Sequence, residues 1–265
     1  MDYSKKALSK VFHRDYSFKT INKDNIKAIL IKDAYIDMQP RHFKDISEYK
    51  PQVENVFDQI AEEFIKYFKS DDMNRREFDH WHRDLCNKLT DLFHGIKPEY
   101  GTKMTAGKAQ KVINITFKHL YLFPDVNENK FRHCHVVIDS YVIDWGLKNG
   151  VLVSSKKWNK TWSKLNYVEY IRLQCMFRKR LYQKERFRNQ YMIAAEFYIW
   201  EEGKYDRKTR ETTDALSFSA TDINYYQIIL EDPYIKRLFI KKYSESISSI
   251  RESLVHIEEL LAQDQ

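Results

Sequence analysis

An all-α fold is what this sequence predicts, and three observations predict it. Glycine and proline are scarce, 6 and 5 in 265 residues, which leaves few breakers for the tight turns of an all-β protein. Long stretches repeat apolar residues three and four apart, the spacing of one helical face. The ends of those stretches carry helix punctuation, such as Pro51 at one start and Gly95 with Pro98 at one finish.

The elements follow in chain order. Val53, Phe57, Ile60, Phe64 and Phe68 mark a first helix, opened by Pro51-Gln52-Val53-Glu54. Phe78, Trp81, Leu85, Leu89, Leu92 and Phe93 mark a second, ended by Gly95 and Pro98. Val112, Ile113, Ile115, Phe117, Leu120, Leu122 and Phe123 surround most of a third, which is therefore expected to be buried. Asp139, after the apolar run Val136-Val137-Ile138, sits where a carboxylate caps a helix start. Tyr167, Tyr170, Ile171, Gln174 and Cys175 begin another helix that runs into the basic stretch Arg178 to Arg188. Met192 to Trp200 either continues it or forms a helix of its own. A terminal helix is expected over Tyr234 to Leu261, with Ile247, Ile250, Leu254, Ile257 and Leu261 on its face. Residues 149–161 and 201–224 read as surface loops by their glycine, charge and Ser/Thr content. No internal repeat or low-complexity linker divides the chain, so residues 1–265 are read as a single globular unit.

Composition bounds the environment. No apolar run approaches the ~18 residues of a membrane span, and the start lacks a signal-peptide core. Cys86, Cys134 and Cys175 are odd in number and widely spaced, which argues against a disulfide framework and for a reducing cytoplasm. A net charge of +7 favours a polyanionic partner.

Lys111, Asn114 and Lys118 recur at i, i+3 and i+7 and so share one stripe of the third helix. A polar stripe on a buried helix suggests a cleft wall, and a desolvated lysine can act as a nucleophile. The plainer readings are a lysine that snorkels to solvent and an ordinary N-cap aspartate. Phe78 to Cys86 is dense in chemistry, with His80, Trp81 and His82 as candidates to stack on or hydrogen-bond a base. His82 with Cys86, and His80 with Asp84, have i, i+4 spacing, and His133, Cys134 and His135 lie elsewhere. No C-x-x-C or H-E-x-x-H signature accompanies them, so neither a metal nor another cofactor is expected. Arg178, Lys179, Arg180, Lys184, Arg186 and Arg188 lie among Phe177, Tyr182, Phe187 and Tyr191. That mixture reads as a phosphate-binding rim or as a solvated helix face. Lys156, Lys157, Lys160 and Lys164 beside Trp158 and Trp162 form a smaller set of the same kind.

Across residues 100–145 the chain resembles the helix-hairpin-helix DNA glycosylases, nearest their archaeal 8-oxoguanine branch. Lys111-Val112-Ile113-Asn114-Ile115-Thr116-Phe117-Lys118 is similar to the lysine helix of that family, and Val137-Ile138-Asp139-Ser140-Tyr141-Val142 to its aspartate element. Tyr100-Gly101 and Ala106-Gly107-Lys108 stand in place of the usual L-P-G-x-G hairpin, and the proline usual before the aspartate is absent. The resemblance implies two helical lobes with a cleft, with residues 75–145 forming the hairpin, lysine helix and catalytic aspartate region. It implies Lys111 and Asp139 as catalytic residues, with Lys108 a rival nucleophile or DNA contact. His80, Trp81, His82, Asn114 and Lys118 would meet the substrate, and Arg178, Lys179 and Arg180 the DNA backbone. The implied partner is double-stranded DNA containing a modified base, bound by a monomer.

Two other readings compete. Arg75-x4-His80 has the spacing of the R-x4-6-H motif of HEPN-type ribonucleases, which are also all-α. A basic helical protein without chemistry, binding a partner through its terminal helix, is the third.

Overall fold

The computed structural model describes residues 20–38, 43, 46–124, 126–152 and 162–211, with side chains to 205. All of them belong to one unit, Arg14–Asp214. Among these residues every regular element is helical and no strand occurs. The expected terminal helix, the loop residues 153–161 and 212–224, and Lys156, Lys157, Trp158 and Lys160 lie outside them.

Local sequence sets each boundary. Helix α1, Lys23–Ile29, starts where the Asn22 side chain accepts from Asn25 N–H, and passes through a π-helical turn, Leu30–Ala34, into Tyr35–Asp37. Helix α2, Lys50–Lys69, has Pro51 in its first turn and buries Val53, Phe57, Ile60 and Phe64, as their spacing predicts. Tyr67 rather than Phe68 completes that buried face. Helix α3, Arg75–Ile96, opens with a reciprocal capping box between Asn74 and Glu77. A short helix α4, Pro98–Lys103, leads through Met104 and Thr105 into α5, Ala106–Tyr121, whose first turn is capped by the Thr105 hydroxyl. Helix α6, Ser140–Lys148, starts at Asp139; α7, Tyr167–Gln183, starts at an Asn166–Glu169 capping box. Helix α8, Met192–Glu211, is separate from α7, because the 3-10 turn Glu185–Phe187 intervenes.

The end of α8 corrects the sequence reading, which began a loop at residue 201. Gly203 and its charged neighbours read as a breaker, but Gly203 is buried against the Tyr141 carbonyl. The glycine there permits close approach of α8 to the start of α6, a packing role that leaves the helix intact.

Helix α5 is the central element. It touches the α1 π turn, α3, α7, α8 and the 3-10 turn Trp162–Lys164, and is buried on nearly every side. Its first turn is fastened to that last turn: Gly107 N–H donates to Leu165 O at 3.0 Å, and Thr105 Oγ1 donates to Ser163 O at 2.6 Å. Helices α6, α7 and α8 enclose an apolar cluster that includes Ile138, Val142, Trp145, Phe177, Phe187 and Ile199. Two sides of α5 thus face different partners, and its polar residues fall into two separate groups.

Candidate functional site

The first group gathers around Glu196. Lys118, one of the expected stripe residues, places Nζ 2.7 Å from Glu196 Oε2 and 4.5 Å from the centre of the Phe197 ring. Glu196 is fully buried, and its Oε1 has no hydrogen-bond partner among the described residues. Burial raises its pKa to about 7; Lys118 and Lys111 oppose the rise and Asp139 adds to it. Glu196 is therefore the group on which Lys111, Lys118 and Asp139 converge electrostatically. Sequence reasoning missed it, although a single acid inside Met192 to Trp200 was the available signal.

Lys111 is buried, with Nζ 4.7 Å from the Trp162 ring centre. Lys108, its rival, is buried toward Phe43, with Nζ 4.7 Å from that ring. Burial and the nearby Lys103 lower its pKa. Asp139 is the N-cap of α6, as expected, and both its oxygens are engaged. Oδ1 accepts from Val142 N–H and Oδ2 from Trp200 Nε1–H, each at 2.9 Å. The carboxylate thereby ties α6 to α8.

The second group is a buried polar chain between α3, α5 and α7. His135 Nε2–H donates to Asp79 Oδ1 at 2.8 Å, and Tyr170 OH donates to His135 Nδ1 at 2.7 Å. Asn114 Nδ2 donates to Tyr170 Oη and to Gln110 Oε1, both at 2.9 Å. His82 Nε2–H donates to Asn114 Oδ1 at 3.1 Å, and its Nδ1 lies 3.2 Å from Tyr167 Oη. Burial holds both imidazoles below the ordinary histidine value, with His135 adding to the effect on His82. Asn114 thus departs from the lysine stripe and joins this chain.

The three consecutive candidates on α3 point three ways. His80 is exposed and bonded to Arg83; Trp81 stacks on Tyr67 and borders Phe64 and Phe117; His82 is buried. Successive residues on a helix are about 100° apart, so one shared site was not available to all three. Among the described residues, no group of three His, Cys, Asp or Glu is arranged to hold a metal ion. Arg75 contacts Asp79 at 3.8 Å and Cys175 at 3.5 Å, partners distinct from that of His80.

Much of the basic stretch serves the fold. Arg178 Nε donates to Met192 Sδ, Arg180 Nε to Asn149 O, and Lys184 Nζ to Asn149 Oδ1. Arg186 binds Glu202 through two nitrogens, at 2.8 and 3.0 Å. Lys179 and Arg188 are exposed, as is Lys164 of the smaller set; its neighbour Trp162 is buried. No helix among the described residues is long and apolar enough to cross a membrane. No family model, curated protein or solved structure matches the chain.

Proposed function

We propose that this chain is a DNA glycosylase that removes a modified base from double-stranded DNA, with Lys111 as nucleophile and Asp139 as the essential carboxylate. One observation carries the reading: Lys111 and Asp139, distant in sequence, are both buried and both act on the charge of Glu196. Further support comes from the succession of α4, Met104-Thr105 and α5, at the residues where the family resemblance puts its hairpin. The two-lobed, cleft-bearing arrangement of that family belongs to the proposal.

In this mechanism the target nucleotide leaves the stack, because C1′ is inaccessible within it. Trp162, which lies over the Lys111 ammonium, moves aside to admit it. The neutral Lys111 amine attacks C1′ as the glycosidic bond breaks, and the departing base takes up a proton. Ionised Asp139 offsets the positive charge that develops on the sugar. Glu196, with its pKa near 7, is the group suited to accept the proton that Lys111 must lose. The C1′–N adduct then opens its C1′–O4′ bond, its nitrogen giving up a proton and O4′ taking one. The imine so formed permits β-elimination, in which a C2′ proton and the C3′–O3′ bond are lost and the strand is cut. The substrate class is an oxidised purine or a bulky modified base of foreign DNA.

Borohydride trapping on a panel of modified duplexes tests the reading. Lys111→Gln should abolish the covalent adduct and Lys108→Gln should retain it. Asp139→Asn keeps a good N-cap but sets an NH2 group against the Trp200 indole N–H, so it should abolish base release in a chain that still folds, at a cost of about 1–3 kcal/mol. Wild-type protein that neither releases a base nor forms an adduct on any duplex of the panel would overturn it.

A further inference from the structure

We propose that the open groove between α3 and α7, bordered by Arg75, Arg178 and Lys179, is a binding site for a phosphate group. Its remaining lining is Cys175, Tyr182 and Gln183. The site does not rest on the base-excision reading.

The strongest observation is Arg178. Its Nε donates to Met192 Sδ at 3.1 Å, but Nη1 and Nη2 are covered from solvent and have no hydrogen-bond acceptor among the described residues. A buried guanidinium with two unanswered amino groups is costly, and such a group calls for an absent water or ion. Asp79 reaches both arginines with its charge, yet one of its oxygens is committed to His135 and the other lies 3.8 Å from Arg75 Nε. Arg75 and Arg178 also act with Arg132 on His133, so positive charge accumulates around this mouth. Burial and the neighbouring Arg75 lower the Arg178 pKa, the mark of a cation short of counter-charge.

A phosphate supplies what is missing. Its oxygens accept from a guanidinium fork in pairs, and Lys179 adds a point charge at the exposed rim. The Arg178 stem already lines the groove, so rotation of its terminal torsions presents the amino groups to a ligand. Tyr182 stands beside them 68% exposed, an unusual position for so large a ring. It offers a flat face on which a base or sugar attached to the phosphate can lie. The phosphate belongs either to a nucleic-acid backbone diester or to a terminal monoester.

Cys175 provides the readout, since it lines the groove and is exposed while Cys86 and Cys134 are buried. The full chain is alkylated with iodoacetamide in inorganic phosphate, and in sodium chloride of matched ionic strength. Phosphate should slow Cys175 labelling by roughly threefold or more, through cover and through repulsion of the thiolate. Arg75→Ala and Lys179→Ala, both at exposed positions, and Arg178→Met, which keeps the stem, should each raise the phosphate concentration needed for that protection about tenfold. Oligothymidylate with and without a 5′-phosphate separates the sources. Protection by both forms identifies the diester, and protection by the phosphorylated form alone identifies the monoester. Lys111→Gln should retain protection, so loss of base excision leaves this site standing. Labelling rates equal in phosphate, oligonucleotide and chloride, or protection that survives all three groove substitutions, would overturn it.

Discussion

The Gln110 side chain holds Ile138 by both of its backbone groups. Gln110 Nε2 donates to the Ile138 carbonyl at 2.8 Å, and Ile138 N–H donates to Gln110 Oε1 at 3.2 Å. Two residues earlier Gln174 does the same for Val136, donating at 2.8 Å and accepting at 3.1 Å. Cys134 to Ile138 is buried and lies outside any helix, so its backbone groups need partners from elsewhere. One amide from α5 and one from α7 supply them, each acting as a short piece of sheet edge.

Gln110→Leu should therefore destabilise the fold by about 2–4 kcal/mol, since it strands two buried backbone groups at once. Urea denaturation should show a lower midpoint with an unchanged slope. Gln183→Leu, at an exposed position, should move the midpoint by less than about 0.5 kcal/mol.

Glu196 makes stability fall as pH rises. Its folded pKa of about 7 lies above the ordinary 4.5, so the folded chain keeps a proton that the unfolded chain releases between those values. The contribution is complete below 4.5 and lost by about 7, on the order of 3 kcal/mol. Glu196→Gln should remove that slope from denaturation midpoints measured across the window, whatever it does to the midpoint itself.

His82 and His135 act with the opposite sign. Both are held below the ordinary 6.5, so acid protonates the unfolded chain first and stability is lost as pH falls below that value. Imidazole proton resonances should show both rings neutral at pH 6.5. Asp79 opposes the fall at His135, and Asp79→Asn should move that ring's titration to still lower pH.

Three glycines should respond differently to alanine. A Cβ at Gly107 would overlap the Trp162 carbonyl and one at Gly203 the Tyr141 carbonyl, whereas Gly95 has nothing within 4 Å. The first two substitutions should cost about 1–3 kcal/mol or more, because backbone must shift. Gly95→Ala should stabilise α3 by roughly 0.5–1 kcal/mol. Thermal melts of the three variants decide it.

The helices were legible where one apolar face ran for several turns, as in Phe57, Ile60 and Phe64. The N-cap at Asp139 was legible too, from an acid placed directly before an amphipathic run. Helix α1 was not read, because Lys23–Ile29 is too short for its spacing to stand out, despite a good cap at Asn22. Spacing along one helix could group Lys111 with Lys118 but could not reveal that Asn114 turns to His82 and Tyr170. Nor could it supply Gln110 and Gln174 as partners for the backbone of Val136 and Ile138, since that pairing exists only once α5 and α7 are packed. The basic stretch was legible only as a row of charge: that Arg180 and Arg186 reach acceptors on Asn149 and Glu202 emerges once α6 and α8 are packed beside it.

The hydrogen bond from the Trp200 indole to Asp139 has an optical consequence. Oδ2 accepts one donor from α8, so a ligand that binds this oxygen shares it with the indole or displaces the indole. Either outcome alters the surroundings of a fluorophore. Trp145 is fastened separately, to Glu202 at 2.7 Å, so its emission stays as a fixed background. A shift in tryptophan emission that vanishes in Trp200→Phe would report engagement of Asp139 directly, with no label and no turnover.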